Sequence, residues 1–311
     1  MNNTHKIRVA VIGVGHLGSI HAKIYKELPN CSLVGVCDTN KDRLGHVASS
    51  LGVNGYSDYS ELFGKVDAIS IATTTKFHYQ VASDCLKNHT HILVEKPFTT
   101  NLKHAEELIK LAKRNKLVLQ VGHIERFNSA FSATKKIIHE PKFIECHRLS
   151  PFPHRSQDVG AVLDIMIHDI DIVLGLVRSK IKRIESTGIN VLTPFEDIAN
   201  TRITFKNGCV ANLTASRVSD ETMRKIRIFQ KDTYISLDYK DAKACVYRKD
   251  GLSITKEDLP IEKEQPLQKE LESFLSCIAE KKEPVVSGET AKEALAVALK
   301  IQQQIWRRRI F

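Results

Sequence analysis

The sequence has no long hydrophobic run, no paired cysteine motif and no low-complexity tract, and each absence excludes a class of protein. No apolar stretch approaches the roughly 18 residues that a helix needs to cross a bilayer, so a transmembrane helix is not indicated. The seven cysteines are scattered without a C-x-x-C pair, so they indicate reduced thiols rather than a disulfide framework. With 42% apolar and 26% charged residues, the composition is typical of a globular protein.

The N-terminal stretch and the net charge indicate where the protein is located and what kind of partner it binds. The stretch MNNTHKIRVAVIGVG has neither the basic segment nor the small-residue cleavage site of a signal peptide, so we expect a cytoplasmic protein. The 46 basic and 36 acidic residues give a formal net charge of +10, which suits an anionic small molecule or a nucleic acid. The densest basic cluster, Arg307 to Arg309, lies at the end of the chain, where we interpret it as a solvated tail. We therefore expect a small-molecule partner and neither a nucleic-acid nor a membrane partner.

Strand and helix patterns alternate through the first 122 residues. Apolar runs predict strands over 7–12, 32–37, 67–72, 91–95 and 117–122, and periodic segments predict helices over 16–28, 41–51, 79–88 and 103–114. Continuous apolar strands that alternate with helices predict an α/β fold in which helices cover both faces of a doubly wound parallel sheet. Because 311 residues suffice for two domains, we place the first domain at 1–122.

The pattern changes after residue 123. A long helix over 164–176 precedes strands over 181–190, 200–205, 209–216, 224–230 and 233–239, with a hairpin turn at Asn207 and Gly208. Two helices, over 268–281 and 290–307, follow. Consecutive strands without intervening helices predict a large, mostly antiparallel sheet, so we interpret 123–311 as an α+β domain for substrate binding and oligomerisation.

A glycine-rich turn in the first domain predicts a dinucleotide site. The letters GVGHLG place glycines at 13, 15 and 18 directly after the strand IRVAVI and at the start of a helix. Gly13 permits the tight turn, Gly15 lets the backbone approach a pyrophosphate, and Gly18 lets the helix pack close to the sheet. Asp38 ends the next strand 20 residues after Gly18, where it can accept hydrogen bonds from the adenosine ribose.

The same carboxylate predicts which nicotinamide cofactor is preferred. Asp38 would repel a 2′-phosphate, which favours NAD over NADP, although Lys41 and Arg43 lie close enough downstream to weaken that preference. A nicotinamide cofactor implies hydride transfer, so the protein must supply a group that moves the alcohol proton.

The stretch DIMIHDID, residues 164–171, is a candidate for that group. In a helix, Asp164, His168 and Asp171 share one stripe and apolar residues share another, so the stretch alone predicts an amphipathic helix whose polar side chains face water. The functional alternative is that His168, with an ordinary pKa near 6.5, accepts a proton while Asp164 orients the ring. We predict no metal site.

Four motifs in one order resemble the glucose-fructose oxidoreductase, inositol dehydrogenase and MocA family over essentially the whole chain. They are GVGHLG, ATTTKFHYQVA (72–82), VEKPFTTN (94–101) and GAVLDIMIHDID (160–171). The resemblance implies that Lys96, Asp164 and His168 are catalytic and bind the substrate, and it leaves open whether Lys96 or His168 takes the proton. It also implies a bent, often cis, peptide at Pro97.

The glycine motif and the resemblance together imply a set of cofactor-binding residues, namely Gly13, Gly15, His16, Leu17, Gly18, Asp38, Thr73, Thr74, His78, Glu95 and Lys96. Thr74 stands where the family usually has proline. We expect Thr73 and His78 still to flank the cofactor, but His78 is equally typical of a residue near a helix end.

The segment VGHIERFNSAF, residues 121–131, resembles a branch of the family, the UDP-N-acetylglucosamine 3-dehydrogenases. That resemblance implies oxidation of C3 of a UDP-linked N-acetylhexosamine such as UDP-N-acetylglucosamine. Arg126, Arg148 and Arg155 lie near enough in the sequence to neutralise a diphosphate, or else each is a surface or interface arginine. Asp169 is a candidate secondary sugar contact.

Two alternatives and one assembly state complete the expectations. A family dehydrogenase of a free sugar, inositol or other cyclic alcohol is the nearer alternative, and a non-enzymatic NAD-sensing regulator is the distant one. Because a broad open sheet would leave an apolar face exposed, we expect a homodimer or homotetramer formed through that face.

Overall fold

The computed structural model describes residues 6–152, 159–262 and 264–308, and these form two compact units. One unit runs to His123 and also includes Leu267–Lys292. The other contains the described residues of Ile124–Pro266 and those from Glu293 onward. The domain limits 1–122 and 123–311 stay a prediction, and the structure adds that Leu267–Lys292 packs with the first unit.

The first unit contains a six-stranded sheet in which every pairing is parallel. Its order is β3-β2-β1-β4-β5-β6. The strands are β1 (Ile7–Ile12), β2 (Cys31–Cys37), β3 (Asn54–Tyr56), β4 (Ala68–Ile71), β5 (His91–Glu95) and β6 (Leu119–Gly122). The chain order reverses between β1 and β4, and in such sheets the crevice at that reversal is where ligands bind.

Four helices connect these strands, namely α1 (His16–Glu27), α2 (Lys41–Leu51), α3 (Thr75–Lys87) and α4 (Leu102–Arg114). Their ends follow local capping chemistry. Asn40 and Asn101 each accept a backbone N–H of the first turn, in α2 and α4. Gly52 ends α2 in the left-handed conformation that favours glycine, at φ +60°.

The second unit contains an eight-stranded sheet in the order β14-β13-β12-β11-β7-β10-β9-β8. Neighbours are antiparallel except β7 and β10, which are parallel. The strands are β7 (Phe143–Leu149), β8 (Ile181–Ile189), β9 (Ile198–Phe205), β10 (Val210–Ser216), β11 (Met223–Gln230), β12 (Thr233–Asp238), β13 (Lys243–Asp250) and β14 (Ser253–Asp258).

Helices contact one face of this sheet. Helix α5 (Ser129–Thr134) lies against β12 and β13, and a π-helical turn, Val162–Met166, and α6 (Ile167–Val177) lie against β10. Two further helices, α7 (Pro266–Glu280) and α8 (Gly288–Arg308), follow the sheet in sequence. Among the described residues, no helix combines the length and the apolar character needed to span a membrane.

The predicted fold class is confirmed, and most predicted elements lie within a few residues of the observed ones. The predicted hairpin turn is also confirmed, since Gly208 has φ +86° between the antiparallel strands β9 and β10. Strands β3, β7, β13 and β14 were not predicted. Helix α3 begins at Thr75, four residues before the predicted start at Tyr79.

Candidate active site

The carboxyl ends of the first unit's strands meet at one edge of its sheet, because all of them run parallel. Gly13 follows β1, Asp38 follows β2, Thr73 follows β4 and Lys96 follows β5. Strands β1 and β4 are neighbours at the reversal of strand order, so the glycine turn and the loop at Thr73 lie side by side. The structure therefore brings together the predicted cofactor-binding residues of this unit.

The glycine turn has the shape that a dinucleotide phosphate requires. At Gly13, φ is +85° and an added Cβ would lie 2.7 Å from the carbonyl oxygen of Ala72, so only glycine fits. An added Cβ at Gly18 would overlap the carbonyl oxygen of Gly13, whereas the space at Gly15 is open. Exposed His16 and Leu17 begin α1, which has no side-chain cap and no acidic residue in its first turn. These uncapped N–H groups fit a pyrophosphate.

Asp38 lies at the position predicted for a ribose contact and is held there by several donors. Its carboxylate accepts the backbone N–H of Val14 at 2.9 Å and that of Asn40 at 2.8 Å. Arg43 donates two further hydrogen bonds, at 2.9 and 3.0 Å. Burial raises the pKa of Asp38, but Arg43 and the backbone donors outweigh this and lower it overall, so the group is ionised at neutral pH.

The loop after β4 presents both predicted threonines. Thr73 is half-buried and Thr74 is exposed at the start of α3. His78 is buried in α3, where its ring nitrogens lie 2.9 Å from the carbonyl oxygen of Pro97 and 3.0 Å from that of Thr73. Burial lowers the pKa of His78. His78 therefore connects the loops after β4 and β5, and its contact with a cofactor stays a prediction.

The Glu-Lys-Pro segment ends β5 with a half-buried lysine and a buried glutamate. The predicted cis peptide is confirmed at Lys96–Pro97. Glu95 accepts the backbone N–H of Lys96 at 3.2 Å and lies 3.1 Å from Nε2 of the buried His21. Burial raises the pKa of Glu95, but His21 and Lys96 lower it overall. An added Cβ at Gly122 would lie 3.0 Å from this carboxylate, so Glu95 is held tightly beside Lys96.

The segment 164–171 of the second unit differs from the amphipathic prediction. Asp164 and His168 are only 6% and 9% exposed, and Asp171 is 2% exposed. The prediction that these side chains face water is therefore wrong. Asp164 lies in the π-helical turn and His168 in the first turn of α6. A π-helical turn in a longer helix is often found at a functional site.

Asp171 forms an ion pair with Arg126, one of the predicted substrate-binding residues. The Arg126 side chain donates to the two carboxylate oxygens at 2.5 and 3.0 Å and to the backbone carbonyl of Asp171 at 2.8 Å. Its guanidinium also occupies the space that a side chain at residue 175 would fill, so a larger residue there would displace Arg126. This pairing ties the segment after β6 to α6, and substrate binding by Arg126 stays a prediction.

Asp169 and Arg148 form a second buried pair. Arg148 donates to Asp169 at 2.8 and 3.0 Å and to Glu125 at 2.7 Å, and all three side chains are under 9% exposed. Burial raises the pKa of Asp169, and Arg148 opposes that change. The alternative that Arg148 lies at the surface is wrong, because the residue is buried. Neutralisation of a diphosphate by Arg148 and a sugar contact by Asp169 stay predictions. Arg155 lies outside the described residues.

Sequence reasoning missed three buried residues that hold the predicted ones in place. His21 contacts Glu95, Glu125 contacts Arg148, and Glu196 contacts the start of the helix that carries Asp164. Glu125 and Arg126 belong to the segment GHIERFN, whose resemblance to one branch of the family suggested a role in substrate binding. In the structure, Glu125 bonds to Arg148 and Arg126 bonds to Asp171 of α6. Within the described ranges, no group of three or more His, Cys, Asp or Glu side chains is placed to hold a metal ion.

Comparison with known proteins places both halves of the chain in one family. Residues 7–123 match the model of the GFO/IDH/MocA oxidoreductase family with an NAD-binding Rossmann fold. Residues 123–235 match the C-terminal domain of the same family.

Relatives of this chain include dehydrogenases of two substrate classes. The UDP-N-acetylglucosamine 3-dehydrogenase of Acidithiobacillus ferrooxidans is 35% identical over 95% of this chain and 96% of the relative. Its solved structure matches with a TM-score of 0.92 over 96% of this chain and 98% of that chain, at 36% identity. The scyllo-inositol 2-dehydrogenase of Bacillus subtilis is 31% identical over 69% of this chain and 68% of the relative. The myo-inositol 2-dehydrogenase of Thermotoga maritima is 25% identical over 97% of each chain.

Three observations indicate the same family: the family models, the long match to a relative above 30% identity and the glycine turn of the parallel sheet. This chain belongs to the GFO/IDH/MocA family of NAD-binding oxidoreductases.

Proposed function

We propose that the protein oxidises the C3 hydroxyl of a UDP-linked N-acetylhexosamine, such as UDP-N-acetylglucosamine, to a ketone, with NAD as the cofactor. The observation that carries this proposal is the match, over nearly the full length of both chains, to a dehydrogenase named for that substrate. A cytoplasmic location and a homodimer or homotetramer are further parts of the proposal.

In this proposal, the pair of Asp164 and His168 removes the proton of the substrate hydroxyl. His168 takes the hydroxyl proton as the carbon–oxygen bond becomes double, since imidazole accepts a proton near neutral pH. Asp164 orients the ring and stabilises the imidazolium that forms. Both side chains are almost fully buried, so their mutual attraction is screened less than it would be in water.

Lys96 is assigned to the reacting oxygen. An ammonium group stabilises the negative charge that develops there as the proton leaves. Its proposed counter-ion is Glu95, which lies beside it and whose pKa is lowered by His21 and Lys96 against the effect of burial. In the alternative assignment Lys96 takes the proton and His168 donates a hydrogen bond.

NAD is the proposed cofactor, and when bound its nicotinamide accepts the hydride from the sugar carbon. The uncapped first turn of α1 and the open space over Gly15 fit the pyrophosphate. The proposed contacts are Gly13, Gly15, His16, Leu17, Gly18, Asp38, Thr73, Thr74, His78, Glu95 and Lys96. Asp38 supports NAD over NADP because its ionised carboxylate repels a 2′-phosphate.

The alternative substrate is inositol or another cyclic alcohol without a nucleotide. Two inositol dehydrogenases among the relatives favour it, and the same Lys96, Asp164 and His168 would serve. The two proposals differ in whether the nucleotide is required for turnover.

The deciding experiment follows NADH formation with NAD+ and each of four compounds. These are UDP-N-acetylglucosamine, free N-acetylglucosamine, glucose and myo-inositol, with hydroxylamine present to trap a ketone. NADH formed only with the UDP-sugar supports the proposal. Turnover of free inositol would instead support the alternative.

The His168→Ala variant tests the mechanism in the same assay. Loss of a general base lowers kcat/KM by about 10²-fold or more, while NAD affinity stays unchanged. His139→Ala, at an exposed histidine, is the matched control and keeps wild-type turnover. Unchanged activity in His168→Ala would contradict the assignment. An NAD-binding protein that turns over no compound in the panel would favour the regulator instead.

A further inference from the structure

The helix that carries Asp164 and His168 starts without a cap from its own sequence. Ala161 occupies the cap position before the π-helical turn, and its side chain accepts no hydrogen bond from the first turn. The residue before it is Gly160. The first N–H groups are bonded instead by Glu196, which lies 34 residues later, just before β9. The backbone carbonyl of Glu196 accepts the N–H of Ala161 at 2.7 Å, and its Oε1 accepts the N–H of Val162 at 3.3 Å.

Glu196 is buried, and its carboxylate is hydrogen-bonded through Oε1, whereas Oε2 has no hydrogen-bond partner among the described residues. The residue is 0% exposed, and Gln302 of α8 donates to its Oε1 at 2.9 Å. A Cβ at Gly160 would overlap the carboxylate, so a larger residue there would displace Glu196 from this position. A negative charge at a helix N-terminus is stabilised by the helix dipole. A carboxylate this deeply buried is costly unless such contacts compensate for it.

The π-helical turn makes the start of this helix sensitive to its cap. The N–H of Ile167 bonds to the carbonyl of Val162, five residues earlier, so this turn contains one residue more than an α-helical turn. A change to α-helical bonding would shift the register by one residue and rotate preceding side chains by about 100°. Asp164 lies inside the turn and His168 just after it. Such a shift would therefore rotate the Asp164 side chain away from its present direction relative to His168.

We propose that Glu196 is a positioning residue that caps the π-helical turn and thereby holds Asp164 in register with His168. This inference rests on the proposed function for the roles of Asp164 and His168. Glu196 itself touches neither substrate nor cofactor in this proposal.

The test compares Glu196→Ala with Glu196→Gln. Glutamine keeps a side-chain oxygen that accepts from Val162 and Gln302, whereas alanine removes it and keeps only the backbone carbonyl that accepts from Ala161. A small misplacement of a catalytic group can cost about 10²-fold in rate, so we expect kcat of Glu196→Ala to fall at least tenfold. We expect KM for the UDP-sugar and the Kd for NAD to change by less than about threefold, because the loss of an interaction made only in the transition state lowers kcat and kcat/KM equally. Glu196→Gln restores kcat to near the wild-type value.

The pH profile supplies a readout that a loss of stability alone would not change. Asp164 stabilises the charged form of His168, so misplacing it moves the acid limb of kcat/KM to lower pH in Glu196→Ala. Gln302→Met, which removes the donor that orients the carboxylate, should give a smaller change in the same direction if Glu196→Ala fails to fold. Glu257→Ala, on the exposed strand β14, is the matched control.

Three outcomes are decisive. A wild-type pH profile and kcat in Glu196→Ala would overturn the inference, as would a Glu196→Gln variant as slow as Glu196→Ala. A wild-type protein inactive on every compound would defeat the proposed function alone. The inference is then tested by NMR titration of the His168 ring, identified by its absence in His168→Gln, where an unchanged pKa in Glu196→Ala would overturn it.

Discussion

The carboxylates of the segment 164–171 have different roles at the scale of single residues. Arg148 pairs with Asp169 and Arg126 with Asp171, so those two aspartates anchor α6 to neighbouring elements. Removing one partner of a buried ion pair leaves an uncompensated charge, which typically costs about 3–5 kcal/mol. Asp164 is the carboxylate of this segment to which the proposed chemistry assigns a role together with His168.

Asp38 makes the cofactor preference testable at a single position. Hydrogen bonds to charged groups contribute about 1.5–3 kcal/mol, so Asp38→Ala should weaken NAD binding roughly ten- to hundredfold. The same change frees Arg43, which then meets a 2′-phosphate without the opposing carboxylate. We therefore expect the preference of kcat/KM for NAD over NADP to fall sharply.

The measurement is kcat/KM with each cofactor at a fixed concentration of the UDP-sugar. Asp42→Ala removes an exposed acid from the first turn of α2 and should leave the ratio unchanged. An Asp38→Ala variant that still rejects NADP would show that another residue sets the preference.

At the scale of elements, local pattern predicted best where the element is regular and half-buried. Strand β1 and helix α2 match their predicted ends because apolar spacing and the Asn40 cap agree there. Strand β7 was missed because its inward positions include Arg148, which breaks the apolar alternation. Strand β14 is exposed throughout and carries no alternation at all. The Arg148 pairing and the Glu196 cap join distant parts of the chain, which local pattern does not predict.

The loop between β8 and β9 is held by one buried aspartate. Asp197 accepts the backbone N–H groups of Val191, Leu192 and Thr193 at 2.7–2.9 Å, and Arg217 donates to it at 2.9 Å. Burial raises the pKa of Asp197, but the hydrogen bonds from Thr193, Leu192 and Val191 lower it well below the ordinary value. A carboxylate with a lowered folded-state pKa contributes stability above its unfolded pKa, about 3.9, and loses it as pH falls further.

This gives a pH-dependent prediction for Asp197→Asn. At neutral pH the variant should lose about 3–5 kcal/mol of unfolding free energy, because Arg217 is left buried without its counter-ion. The difference from wild type should stay constant down to about pH 5 and shrink below about pH 4. Urea unfolding across this pH range measures it, with Asp220→Asn, at an exposed position, as the control. A difference that grows on acidification would contradict the assignment.

At the scale of the whole molecule, the open face of the eight-stranded sheet is less apolar than the sequence suggested. One row of side chains is aromatic, where the rings of Phe143, Phe229, Tyr234 and Tyr247 succeed one another at 4.7–5.6 Å. The next rows carry ion pairs such as Arg227 with Glu145. The four aromatic residues are half-exposed, and aromatic rings bordered by polar residues are typical of protein interfaces.

We predict that a second copy of the chain covers this face. The aromatic row lies across strands β7, β11, β12 and β13, so two copies related by a twofold axis can pack the same rows against each other. Tyr234→Glu would bury a charge in the middle of the row and should convert the assembly to monomers. Leu252→Glu, at the fully exposed turn between β13 and β14, is the matched control and should keep the wild-type mass. Sedimentation velocity at micromolar concentration distinguishes the species. A wild-type monomer would contradict the prediction. A dimer unaffected by Tyr234→Glu would show that the interface lies on another face.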